Sequence, residues 1–275
     1  MRNVIFVHGA LHGSWCWSLV TEQLAGRGIP SVAVDLDGHG LKSRAPSSRW
    51  ARPFDPAAFA AEPSPVGAVT ATSAAATLVS QIKVIGNGQP CVVVAHSMGG
   101  TVATAAAEQA PELFARLVYV TAFAPVSGMP AGDYYALPEG KDTMVGRLVF
   151  GDPALVGAFR ADLGDHAVHP VIREVFYGDV DEATAAAATA LLTTDAPLSM
   201  STEAFTVTRG RYGAVPHTYV TCAKDNAIPI MLQRRFIDEI NAVSGSPTTV
   251  VELDSSHSPF LSQPAALAAA IAGAV

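Results

Sequence analysis

The sequence predicts an α/β protein with a six-stranded, mainly parallel sheet, helices on both faces and an inserted cap. Three observations carry this expectation. Short β-branched, apolar runs alternate with longer helical patterns, the rhythm of successive βαβ units. Each run is nearly continuously apolar, as a strand covered on both faces should be. The rhythm is then interrupted over residues 125–212, too long a stretch to be a simple connection. The chain has 275 residues, 49% hydrophobic and only 15% charged, which excludes a disordered or solvating protein. A chain of this size buries roughly 73% of its unfolded surface on folding, so neither disulfides nor metal are needed to hold it together.

Strands are expected at residues 3–7, 31–34, 91–95, 117–121, 216–221 and 248–253, and helices at 15–27, 66–85, 98–110, 229–243 and 264–275. The fourth helix is the clearest, because Leu232, Phe236, Ile240 and Val243 share one face and Pro229 suits a first helical turn. Residues 1–124 and 213–275 are therefore read as the core, with 125–212 as the inserted cap. That insert holds turn signals such as Gly151-Asp152-Pro153 and an Ala-rich helical stretch over 181–192. It also holds twelve acidic and six basic residues, a net of −6 out of the chain's −7. The excess is either a solvated outer face or an acidic rim that disfavours polyanionic substrates. A second irregular stretch, residues 41–65, follows the second strand. It is rich in Ser, Pro and Arg and reads as a wall of a ligand site or as a mobile surface loop.

With pI near 5.5 and no Lys/Arg cluster, the chain offers no nucleic-acid footprint. Three widely spaced cysteines, none paired at metal-ligand spacing, favour a reducing compartment. The apolar run at 4–7 is too short for a signal peptide, and the apolar tail at 265–275 is too short to span a bilayer. The expectation is a soluble cytoplasmic protein that binds neither membrane nor nucleic acid.

The chemistry begins where the run Cys91-Val92-Val93-Val94-Ala95 meets His96-Ser97-Met98-Gly99-Gly100, which opens a helix. Strand, tight turn and helix are the setting of a nucleophile elbow: the serine must project above the sheet, and its neighbours two before and two after must be small. Ala95 and Gly99 meet that demand, with Ala standing where G-x-S-x-G has its first Gly. A serine hydroxyl needs a base. Of the eight histidines, His257 directly follows the last strand and so lands on the same sheet edge as Ser97. His217 opens a strand and belongs at the opposite end, His166 and His169 fall in the insert, and His8 and His39 sit in turns where they would bond backbone. Asp225 follows the fifth strand and is either the acid that orients His257 or a helix cap. Asp35 and Asp254 are rival acids. The order Ser97, Asp225, His257 differs from that of chymotrypsin or subtilisin. The oxyanion of acyl transfer needs two donors, here the backbone amides of Met98 and, from the loop after the first strand, Ala10. That loop, His8-Gly9-Ala10-Leu11-His12-Gly13, matches neither Gly-rich phosphate-binding spacing.

The chain resembles the α/β-hydrolase superfamily, in particular the branch of plant methylesterases, the salicylate-binding esterase and hydroxynitrile lyases. The matches are His8-Gly9-Ala10-Leu11-His12-Gly13-Ser14-Trp15, Asp35-Leu36-Asp37-Gly38-His39-Gly40, the Ser97 turn, Asp225 and Ser256-His257-Ser258. The resemblance implies an α/β-hydrolase fold, a Ser-His-Asp triad, no cofactor, and a pocket between core and cap near His12, Trp15 and Phe123. Lyases of this branch carry a Thr where this chain has Gly9 and a Lys where it has Ser258; that Lys stabilises leaving cyanide. Dehalogenases and epoxide hydrolases of this fold attack with Asp instead of Ser. The expected activity is therefore hydrolysis of a small to medium, largely apolar carboxylic ester or lactone by a serine esterase. A lyase or other non-hydrolytic reaction at the same triad, or a small-molecule receptor on this scaffold, are the alternatives.

Overall fold

The computed structural model describes residues 2–275. The chain opens with β1 (Val4–Val7), a 3₁₀ turn (Ser14–Trp17) and α1 (Ser18–Ala25), so the single helix expected over 15–27 is divided in two. β2 (Ser31–Val34) follows, then α2 (Pro56–Ala61) and α3 (Ala71–Gly86). α3 starts later than the sequence pattern suggests because Thr70 and Ser73 form a reciprocal capping box that fixes its first turn. Next come β3 (Cys91–Ser97), α4 (Gly99–Gln109) and β4 (Phe114–Ala122). The insert contains α5 (Pro153–Val156), β5 (Ala158–Arg160), α6 (His169–Phe176), α7 (Glu182–Ala190), β6 (Asp195–Pro197) and α8 (Ser199–Thr202). The chain closes with β7 (His217–Cys222), α9 (Ile230–Val243), β8 (Thr249–Leu253), α10 (Pro259–Ser262) and α11 (Pro264–Ala272).

Six strands form one parallel sheet in the order β2-β1-β3-β4-β7-β8, and β5 and β6 make a separate antiparallel pair. α1 packs on α11, and α3 on α4. One apolar cluster joins β1, β3 and β4 to α3, α4 and α9; a second joins the other side chains of those strands to α1 and α11. The central strands are buried on both faces as expected, but β2 and β8 are not: Val32 is 44% and Val250 50% exposed. Both are edge strands, with a neighbour on one side only.

A third apolar cluster lies in the insert. Its antiparallel pair is held by Arg160, whose side chain is fully buried and grips both oxygens of Asp195 at 2.8 Å. The same guanidinium donates to the carbonyls of Glu62, at 2.9 Å, and Phe59. Residues 41–65 are thereby tied to the insert. Much of the insert's acidity serves structure, since Asp152, Asp165 and Asp181 cap helix starts. The three cysteines are all free and buried. Among the described residues, no helix is long and apolar enough to cross a membrane.

Candidate active site

Parallel strands present their carboxyl ends along one edge of the sheet, and three side chains meet there. Ser97 ends β3 in a left-handed conformation, φ 52°, which lifts its hydroxyl out of the strand. The turn closes only because residue 99 is glycine: a Cβ there would run into the carbonyl of His8. His257 sits in the loop between β8 and α10. The Ser97 hydroxyl donates to His257 Nε2 at 3.0 Å, and His257 Nδ1–H donates to Asp225 Oδ2 at 2.7 Å. The second oxygen of Asp225 accepts the amides of Ala227 at 2.6 Å and Ile228 at 2.9 Å. Asp225 thus contacts both His257 and the turn leading to α9.

The rival acids are occupied elsewhere. Asp35 accepts the amides of Ser14 at 2.6 Å and Leu41 at 2.9 Å, and Asp254 pairs with Lys224 at the surface. His217 begins β7 and contacts Ser244. His8 donates from Nδ1 to the carbonyl of Gly9 at 2.8 Å and accepts the amide of Leu36 at Nε2. Burial lowers the pKa of His8 to about 3 and of His39 to about 4, so both are neutral near pH 7.

A cavity of about 330 Å³ opens over Ser97. Ala10, Met98 and Phe123 line it from the core, and Tyr135, Val149, Phe159 and Leu198 are among its walls from the insert. Among the described residues, no hydrogen bond uses the amides of Ala10 or Met98, so both donors beside Ser97 are unspent. Among the described residues, no Lys, Arg, Asp or Glu lines this cavity, and its surface is mostly apolar.

Two expected pocket residues fall outside that lining. His12 lies behind it, where Nδ1–H donates to the Ala10 carbonyl at 2.8 Å and Nε2 accepts the Tyr177 hydroxyl at 2.9 Å. Burial lowers its pKa to about 3, which keeps it a neutral prop for the Ala10 loop. Trp15 stacks on His12 but faces a different surface groove, shared with Leu41, Arg49 and Trp50. Residues 41–65 line that groove and its neighbour, so they form no wall of the cavity over Ser97.

Two contacts had no signal in the sequence. His96 Nε2–H donates to the carbonyl of His257 at 2.9 Å; burial and the nearby His257 ring push the His96 pKa well down. Thr121 donates from Oγ1 to Asp225 Oδ2. Among the described residues, no group of three or more His, Cys, Asp or Glu is placed to hold a metal.

The chain is 26% identical over 273 residues to Methylesterase 9 of Arabidopsis thaliana, covering 96% of this chain and 94% of that one. It is 27% identical over 277 residues to the pyrethroid hydrolase of Sphingobium wenxiniae, covering 99% and 87%. The crystal structure of a pyrethroid hydrolase from Sphingobium faniae superimposes with a TM-score of 0.76 at 24% identity, covering 99% of this chain and 96% of that one. A sequence model of the alpha/beta hydrolase family matches residues 4–270, almost the whole length that folds around Ser97, and the chain belongs to that family.

Proposed function

We propose that this protein hydrolyses a small to medium, largely apolar carboxylic ester or lactone through an acyl-enzyme on Ser97. The observation that carries the reading is the relay from Ser97 to His257 at 3.0 Å and on to Asp225 at 2.7 Å, buried beneath an apolar cavity. The curated relatives include methylesterases, ester-cleaving by name, and a pyrethroid hydrolase, which supports hydrolytic chemistry here.

In this mechanism, His257 Nε2 takes the proton of Ser97 as Oγ attacks the carbonyl carbon. Asp225 holds the imidazolium that results. The amides of Ala10 and Met98 receive the oxyanion, each such donor contributing about 3–4 kcal/mol to the transition state. His257 then protonates the leaving alcohol and activates the water that cleaves the acyl-enzyme. A cavity without charged side chains suits a neutral substrate, because a free carboxylate or phosphate would be desolvated there without a cationic partner. Cyanide release has no support, since Ser258 carries no charge and a side chain at Gly9 would meet Ser97 Cβ at 2.7 Å.

The test is Ser97→Ala assayed with p-nitrophenyl butyrate and a panel of methyl, acetyl and lactone compounds. The variant should fold normally and lose activity by about 10⁴–10⁶-fold in kcat. Near wild-type hydrolysis by that variant would overturn the proposal, and covalent labelling of Ser97 by a fluorophosphonate without turnover of any ester would favour a receptor.

A further inference from the structure

β3 and β4 pair in register from Val92 opposite Arg116 to His96 opposite Val120, but Ser97 lies opposite Ala122. Thr121 is the extra residue, a β-bulge beside the nucleophile turn. Its φ is 36°, a conformation costly for a β-branched side chain and maintained only where the surroundings impose it. They do so on two sides. The Phe123 amide donates to the Ser97 carbonyl at 3.1 Å. The buried Tyr219 hydroxyl donates to the Ala122 carbonyl at 2.6 Å and accepts the Ala122 amide at 3.1 Å, meeting both backbone groups beside the bulge. With this backbone, the fully buried Thr121 side chain reaches the acid, and its Oγ1 donates to the same Asp225 oxygen that receives His257 Nδ1–H.

We propose that Thr121 is a positioning residue of the Ser97–His257–Asp225 relay, a hydroxyl held in strained backbone to fix the Asp225 carboxylate and moderate its hold on His257. The inference rests on the reading of those three residues given above. A carboxylate can rotate about its Cβ–Cγ bond. Two amides on Oδ1 and two donors on Oδ2 leave it one orientation. The Thr121 hydroxyl also draws charge from Oδ2. Without it, the carboxylate attracts the imidazolium more strongly, and the neutral base forms only at higher pH.

Other groups facing the pair leave that effect readable. His96 and His12 face His257 from β3 and the β1 loop, and burial holds both far below the ordinary imidazole range. Tyr135, Tyr219 and Cys222 face Asp225 from the insert and from β7, and burial raises all three. None of these five changes charge near neutrality. Asp179 holds the His257 loop through the amide of Ser256, at 3.0 Å, and Lys224 pairs with Asp254; substitution at 121 touches neither.

The experiment measures kcat and KM for p-nitrophenyl butyrate across pH in wild type, Thr121→Val and Thr121→Ser, with Ser97→Ala as reference. Valine keeps the shape and removes only the O–H. It should lower kcat about tenfold with KM within about twofold, and move the acid limb of kcat/KM up by about half a pH unit. Serine, which keeps the hydroxyl, should stay within about threefold of wild type with an unmoved limb. If valine folds poorly, Thr121→Gly carries the test, being at ease at positive φ and lacking the hydroxyl. A Thr121→Val profile that superimposes on wild type, or a Thr121→Ser variant as impaired as Thr121→Val, would overturn the positioning role. If Ser97→Ala stays active, the underlying reading falls instead.

Discussion

Gly9 leaves the turn at Ser97 uncrowded by having no side chain. A Cβ at this position would lie 2.7 Å from Ser97 Cβ and 2.8 Å from His96 Nδ1, both parts of a rigidly held turn. Neither neighbour can yield without moving Ser97 away from His257. Gly9→Ala should therefore reduce kcat by about 100-fold, the cost of roughly an ångström of displacement at a reacting centre, and lower the melting temperature as well. Steady-state kinetics with a thermal melt would check it; an alanine variant of unchanged kcat would mean that the turn has more freedom than its contacts suggest. The same crowding explains why a hydroxyl-bearing residue has no place here, a point the sequence conveys only as a Gly in a motif.

Among the elements, Arg160 at the end of β5 ties the antiparallel pair to the 41–65 segment. It carries no exposed surface, pairs with both Asp195 oxygens, and reaches across to two carbonyls of the 41–65 segment. Arg160→Ala would leave the Asp195 carboxylate buried without a partner and should destabilise the fold by about 3–5 kcal/mol. Replacing both residues by apolar ones of similar size should cost much less; urea denaturation of the single and double variants separates the two cases. Sequence patterns alone place the central strands well, because β1, β3, β4 and β7 are apolar runs whose burial on both faces is written in their composition. They bring the catalytic candidates towards one edge less directly: Ser97 ends β3 and Asp225 follows β7, but His257 follows the half-exposed edge strand β8. Edge strands read the same way but are half-exposed, since apolarity cannot tell a run with two neighbours from a run with one. The late start of α3 is a capping event at Thr70, and the Thr121 bulge is a slip between two paired strands. Neither is visible in the periodicity of a single segment. Residues 41–65 were legible as irregular, but their anchoring depends on a guanidinium about a hundred residues away in the chain.

Across the whole molecule, five buried histidines besides His257 are held far below the ordinary imidazole range. Burial lowers His8, His12 and His217 to about 3, His39 to about 4, and His96 well below its ordinary value. In the unfolded chain each would accept a proton near pH 6.5. Folded-state values are depressed, so their effect on stability is absent above that pH and grows as pH falls below it, with each group subtracting about 1.4 kcal/mol per pH unit until its folded value is reached. Asp35 and Glu62, both lowered by hydrogen bonds that outweigh burial, lose stabilisation in the same direction once the pH falls below the ordinary carboxylate range. Cooperative unfolding should therefore set in between about pH 6 and pH 4.5, above the range where carboxylates alone would trigger it. Circular dichroism across a pH titration would show it, and a fold unchanged at pH 4 would mean that these rings are more readily protonated in place than their burial allows.

The sealed position of Cys16, Cys91 and Cys222 has a practical corollary. Burial raises all three thiols above their normal ionisation range, so the nucleophilic thiolate is scarce and shielded from reagents in the native protein. A cysteine introduced on the rim of the insert would consequently be the sole sulfur open to maleimide chemistry. A fluorophore or spin label could then report on substrate entry without first stripping the native sulfurs from the chain.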